Sequence, residues 1–455
     1  MSRRDDPFET SPHPEVYPEC IILRSVRHPF PAFWLCLIVS LSFVFHFFSA
    51  VLSPRFYVMA VAAAVAGLVV SKPRVPARPL VALLCLLAIG CMAFSFWRST
   101  RLMGAFADVL TLGSALFVVL FPVSRPDDYR PALTVIVLWG VFFSVGMLLA
   151  FGARPLFNAS LSMFPSAFAA AVRRASFVRI CGFSTNPGFT AGYVVCALIA
   201  LSSVMGDRKS FSLSKLFLLV FLLVALLFTG KRGHVLFLAV TWGLCYLIPL
   251  RGNKKVARYV KLGLCALVGV VLYVAFADAL AGIPVVGRFA QTVSGFLEGE
   301  DVSNGRSRLW SWALELVRRQ PWLGIGWGDF RTTIGGVAGI VSELDVHNIY
   351  LQLLCETGVV GLAVFALFFA YFWNSAKNLS RLCVASSDPV LASLRPLVRF
   401  SLAYQTFFLL YGITGNVLFD QHYQIVYAVA CAIAVTCQSV CRRRIAALRW
   451  MGGYL

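Results

Sequence analysis

Long uncharged stretches alternate along this chain with short charged ones. Val61–Val70, Leu216–Phe228 and Val359–Ala370 hold no charged residue at all. Extended to about 20 residues, such runs reach the length at which a helix crosses a hydrocarbon core. They are apolar on every side, which a water-facing helix is not. The pattern therefore predicts an all-α, polytopic membrane protein with about 12 transmembrane helices. Their expected limits are 31–52, 56–71, 79–97, 104–123, 132–152, 187–205, 213–230, 233–250, 260–280, 348–373, 397–418 and 423–440. Residues 1–30 are polar and rich in Pro and acids, and read as a disordered tail. Residues 31–455 read as a single transmembrane domain.

The connections are uneven. Segment 281–346 is the one long enough to fold outside the membrane. Within it, Ser303 or Asn304 can cap a helix, with apolar residues falling at Leu309, Trp312, Ala313, Leu316 and Val317 and an end at Pro321. This amphipathic helix either lies in the membrane interface or packs on the bundle. Arg306 sits at its N-terminus, where free N–H groups and the helix dipole favour anions. Gly324, Gly326 and Gly328 then alternate in a tight loop, and no nucleotide-binding fold surrounds them. The segment closes at His347, which precedes the tenth span.

Composition strengthens the membrane assignment: 59% of residues are hydrophobic, mean hydropathy is +0.80 and 13% are charged, against about 25% charged in soluble domains. The formal charge of +20 would suggest nucleic acid in a soluble protein. Here the basic residues lie between apolar spans, so membrane topology, anionic lipid and phosphate groups account for them and no nucleic acid is expected. Most Lys and Arg fall on one side if both termini are cytoplasmic. The outer exceptions are then informative. Segment 153–186 carries Arg154, Arg173, Arg174 and Arg179 without an acid, and Lys231-Arg232 occupy a turn of a few residues between two apolar spans. Basic residues held at the bilayer against its usual bias point to function. The 13 cysteines lie mostly in apolar runs, without a Cys-x-x-Cys pair, and His-Glu-x-x-His is absent, so neither a disulfide framework nor a metal site is expected.

Arginines, a helix N-terminus and one histidine on the outer face suit a diphosphate leaving group. Guanidinium forks bind diphosphate, and a histidine can take the proton of an acceptor hydroxyl. The reaction class is group transfer without nucleotide or cofactor. Gly230-Lys231-Arg232-Gly233, Gly305-Arg306-Ser307-Arg308-Leu309-Trp310, Gly324-Ile325-Gly326-Trp327-Gly328, and His347-Asn348 followed by Glu356-Thr357-Gly358 occur in that order. Together with Arg179–Pro187, they resemble the O-antigen ligase and polymerase superfamily over roughly 179–360.

The resemblance implies a metal-independent, inverting glycosyltransferase of the bacterial inner membrane, with its active face periplasmic. Its donor would be a glycan on undecaprenyl diphosphate, and its acceptor lipid A–core or a growing glycan, among membrane lipids. Arg232 and Arg306 match the family's diphosphate-binding arginines and His347 its catalytic histidine. Charge and place add Lys231, Arg179 and Arg308 to the donor site. Glu356, nine residues past His347, falls about half a turn away around a helix and suits packing, as Asp108 and Asp278 suit interhelical contacts. Ligase and polymerase share this donor chemistry, and the ligase layout fits the large outer loop better. A transporter or flippase would show inverted repeats and charges at the bilayer midplane, which the sequence lacks.

Overall fold

The computed structural model describes residues 30–48, 54–71, 78–100, 102–205, 212–248, 282–299, 305–338 and 344–450, with a few isolated residues between them. Among these, every regular element is helical. In order they are α1 (Phe30–Phe48), α2 (Pro54–Val70), α3 (Pro79–Trp97), α4 (Leu102–Leu120), α5 (Tyr129–Gly152), α6 (Arg154–Leu161), α7 (Ser166–Val178), α8 (Pro187–Met205) and α9 (Leu213–Phe228). Then follow α10 (Arg232–Leu247), α11 (Pro284–Leu297), α12 (Arg306–Arg319), α13 (Phe330–Ala338), α14 (Ile349–Ala385), α15 (Pro389–Ser393), α16 (Arg395–Tyr411) and α17 (Gln421–Trp450).

Among the described residues, five helical segments are long and apolar enough to cross a membrane: α3, α5 with the turn before it, α8, α14 and α17. Shorter apolar stretches lie in α1, α2, α4, α9 and α10. The tail before residue 30 and nearly all of the predicted span 260–280, with Asp278, lie outside the described residues.

Helices α8 and α17 form the centre of the bundle. In their apolar windows 72% and 83% of residues are buried, against 33% for α3 at the periphery. Small residues let the central helices approach closely. A Cβ added to Gly140 of α5 would stand 2.2 Å from the Ala197 Cβ of α8, the small-residue contact through which membrane helices gain dispersion energy.

Segment 153–186 is not a loop, as its lack of a long apolar run suggests, but is largely occupied by α6 and α7. Phe168, Ala169 and Val172 of α7 are buried while Arg173 and Arg174 are exposed. Phe157 of α6 and Phe164, between α6 and α7, meet Phe183 at 5.5 Å between ring centroids, and Phe183 stacks at 5.1 Å on Phe142 of α5. The apolar stripe is short because these helices lie on the protein and not across lipid.

Helix α12 packs on the bundle. Leu309, Ala313 and Leu316 form a second small core with Phe330, Ile334, Val346 and Cys355. Its start differs from the expected Ser303 or Asn304 cap. Gly305 takes the N-cap position in the left-handed region, φ 78°, and the Ser303 hydroxyl accepts instead from the Ser307 N–H at 3.1 Å. The left-handed turn carries the chain into the helix without a Cβ clash.

The glycine loop after α12 repairs a break in α14. At Gly358 the backbone turns non-helical, φ 69°, which frees carbonyl and N–H groups that a helix would pair. Ile325 and Gly326 N–H donate to the Cys355 and Glu356 carbonyls at 3.0 and 3.1 Å, and Val359 N–H donates to the Pro321 carbonyl at 2.9 Å. The approach is close enough that a Cβ on Gly324 would lie 2.3 Å from the Glu356 carbonyl carbon. Glu356 is fully buried; its carboxylate accepts from Gly328 N–H at 2.9 Å and from the Gln352 amide at 3.1 Å. These hydrogen bonds join the glycine loop to the first part of α14.

Candidate functional site

The Lys231-Arg232 turn is built by its flanks. Helix α9 ends at Phe228, Gly230 adopts φ 65°, and Arg232 opens α10. The Arg232 guanidinium donates to the Arg288 carbonyl at 3.2 Å, and the Arg288 guanidinium donates to the Gly230 carbonyl at 3.1 Å. This reciprocal pair fastens α11 to the turn.

His347 is the single non-glycine residue with positive φ, 56°, among the described residues. Strained backbone of this kind persists where surrounding contacts over-determine it, and it clusters at functional sites. The contacts are present on both sides. Before His347, Asp345 receives two hydrogen bonds from the Arg331 guanidinium, at 2.5 and 3.1 Å. Arg331 also stands 4.0 Å from Asp108, the contact between segments expected of that acid. The Val346 carbonyl accepts from the Trp310 indole at 3.1 Å. After His347, Asn348 caps α14 by accepting from the Tyr350 and Leu351 N–H groups, each at 3.0 Å.

These parts surround one cavity of about 840 Å³. Arg179, Lys231, Arg232, Arg306, Arg308 and His347, all singled out in the sequence, line it together. Sequence reasoning missed Arg288, His234 and Tyr411, which also line it. Arg288 sits on amphipathic α11, whose docking onto α9 and α10 is a tertiary event. His234 falls inside an apolar run and reads as core; it is 2.7 Å from the Tyr423 hydroxyl.

The cavity is strongly electropositive. Among the described residues it carries six cationic side chains and one carboxylate, Asp301. Among the described residues no carboxylate forms an ion pair with any of the six. Asp301 itself accepts from the Ser303 N–H and the Ser307 hydroxyl, both at 2.8 Å. Burial, and then the neighbouring Arg179, Arg288 and Arg306, push the Lys231 ammonium down to about 8. Burial and Arg232 lower Arg306, although Tyr411 opposes the shift. Burial, followed by Arg306, holds His347 below its ordinary 6.5, with Asp345 acting in the other direction. His347 is therefore a neutral imidazole near pH 7, the form that accepts a proton. A cage of cations beside a neutral base can bind an anionic leaving group and deprotonate a neutral nucleophile.

Residues 217–366 match the family model described as O-Antigen ligase. The matched segment contains Lys231, Arg232, Arg306, Arg308 and His347; Arg179 precedes it. It bears out the resemblance drawn from the motifs. No curated protein matches the chain.

Proposed function

We propose that this membrane protein, whose segment 217–366 matches the O-antigen ligase family, transfers a glycan from undecaprenyl diphosphate to a hydroxyl of lipid A–core. The reaction takes place at the periplasmic face of the bacterial inner membrane, with both termini in the cytoplasm. One observation carries the assignment: Lys231, Arg232 and Arg306 line the same cavity as the strained, neutral His347.

His347 takes the proton of the acceptor hydroxyl, and the acceptor oxygen attacks the anomeric carbon from the face opposite the diphosphate. The carbon–oxygen bond to the diphosphate breaks with inversion, and undecaprenyl diphosphate departs with the electron pair. Arg232, Arg306 and Lys231 neutralise the charge that grows on the leaving group. Such groups are most effective when fixed before the reaction, and the Arg232 hold on the Arg288 carbonyl supplies that fixation. The side chains provide the charge neutralisation, so turnover is expected to be unchanged by EDTA. A loss restored by added Mg²⁺ would assign the role to a divalent cation.

The test is turnover by purified protein given a lipid-linked glycan and an acceptor, without ATP. His347→Ala is expected to lower kcat by about 10²–10⁴-fold, the range for a general base. Full turnover by that variant would overturn the mechanism. In a deletion strain, rough core with accumulating lipid-linked polymer is the expected ligase phenotype. Single repeats on core would assign polymerase instead.

A further inference from the structure

We infer that the cavity holds a second anion subsite at its exposed side, formed by Arg179 and Arg308, for a carboxylate or phosphate substituent on a sugar of the donor or acceptor glycan. The inference rests on the donor assignment above.

The first argument is charge. A diphosphate diester carries about two negative charges near neutral pH, and about three once it has left as the monoester. Among the described residues the cavity carries six cations, and its one carboxylate is engaged with Ser303 and Ser307. Donor binding alone leaves several positive charges facing one another. Like charges held together in a partly desolvated site repel strongly. A second anion relieves that repulsion.

The second argument is the rest of the wall. Gln291 and Thr292 follow Arg288 by about one turn of α11, and Trp312 follows Arg308 by about one turn of α12. All three line the cavity. Amide and hydroxyl groups pair with sugar hydroxyls, and an indole face packs on the C–H face of a sugar ring. Arg179 and Arg308 are exposed, whereas Lys231, Arg232, Arg288 and Arg306 are partly buried. At about 840 Å³ the cavity falls within the range that encloses an organic ligand larger than a diphosphate.

The experiment uses the full-length protein in nanodiscs of zwitterionic lipid, with binding followed calorimetrically. Methylenediphosphonate stands for the diphosphate, tetragalacturonate for an acidic glycan and maltotetraose for a neutral one. With diphosphonate saturating, tetragalacturonate is expected to bind at least about tenfold more tightly than maltotetraose. The double variant Arg179→Gln/Arg308→Gln should lose about tenfold or more of the tetragalacturonate affinity. Its Arg→Lys counterpart should recover part of it. Arg318→Gln, on the same helix as Arg308 but outside the cavity lining, should leave it unchanged.

Competition between diphosphonate and tetragalacturonate for one site would overturn the inference, as would equal binding of the acidic and neutral oligosaccharides. Displacement of tetragalacturonate by phosphatidylglycerol added to the discs would give the cations to lipid headgroups and overturn it too. Binding of tetragalacturonate without any binding of diphosphonate would sink the donor assignment but leave the anion subsite standing.

Discussion

His347 combines a left-handed backbone with a depressed pKa, and pH dependence follows from it and its neighbour. Activity should rise as His347 loses its proton below its ordinary 6.5, and fall as Lys231 loses its own at about 8. The sign is fixed by function: the base acts deprotonated, the diphosphate ligand protonated. The profile of kcat/KM should therefore be bell-shaped. Lys231→Arg keeps a charge that does not titrate in this range, so its alkaline fall should vanish; a fall that persists near pH 8 would dissociate it from Lys231. Arg306→Ala removes charge-assisted hydrogen bonds of about 1.5–3 kcal/mol each. It should raise the donor KM by about tenfold or more, and an unchanged response to donor concentration would remove Arg306 from the donor site.

Short elements place these side chains. Helices α11 and α12 together with the 229–231 turn bring three separate stretches of sequence to one wall. The Arg331–Asp345 pair steadies the approach to His347. Arg331→Gln would leave Asp345, which is 20% exposed, without its partner. Removing one partner of a buried pair costs about 3–5 kcal/mol and of an exposed pair about 0–1, so a half-buried pair should fall between them. The expected result is a lower melting temperature together with a shifted acid limb of the pH profile. A melting change with the acid limb in place would reduce Arg331 to a structural role. Gly324→Ala meets both a positive φ and a backbone atom at 2.3 Å. Neither can be relieved by a side-chain rotation, so the variant should be destabilised by about 3 kcal/mol or more, read as loss of folded protein in detergent. A melting temperature equal to wild type would contradict the docking of that loop.

For the whole molecule, membrane helices were legible because an apolar run of sufficient length has one physical solution in lipid. The cavity residues were legible where a charge sat in an unfavourable place, as at Lys231-Arg232, or beside a helix start, as at Arg306. Arg288 gave no such signal, since an arginine in an amphipathic helix is ordinary until that helix docks. The strain at His347 was hidden as well, because a positive φ in a non-glycine residue is imposed by contacts with Trp310, Arg331 and Asn348 that lie along three segments. Helices α6 and α7 escaped for a related reason: their stripes match a protein surface and not a bilayer. The repaired break in α14 has a further consequence for how the molecule opens. The amides of Ile325, Gly326 and Val359 close the break from both sides, so the loop and the two halves of α14 should open as one cooperative unit. In hydrogen–deuterium exchange these amides should share a single opening free energy, and the glycine loop would then melt only together with the long helix it closes.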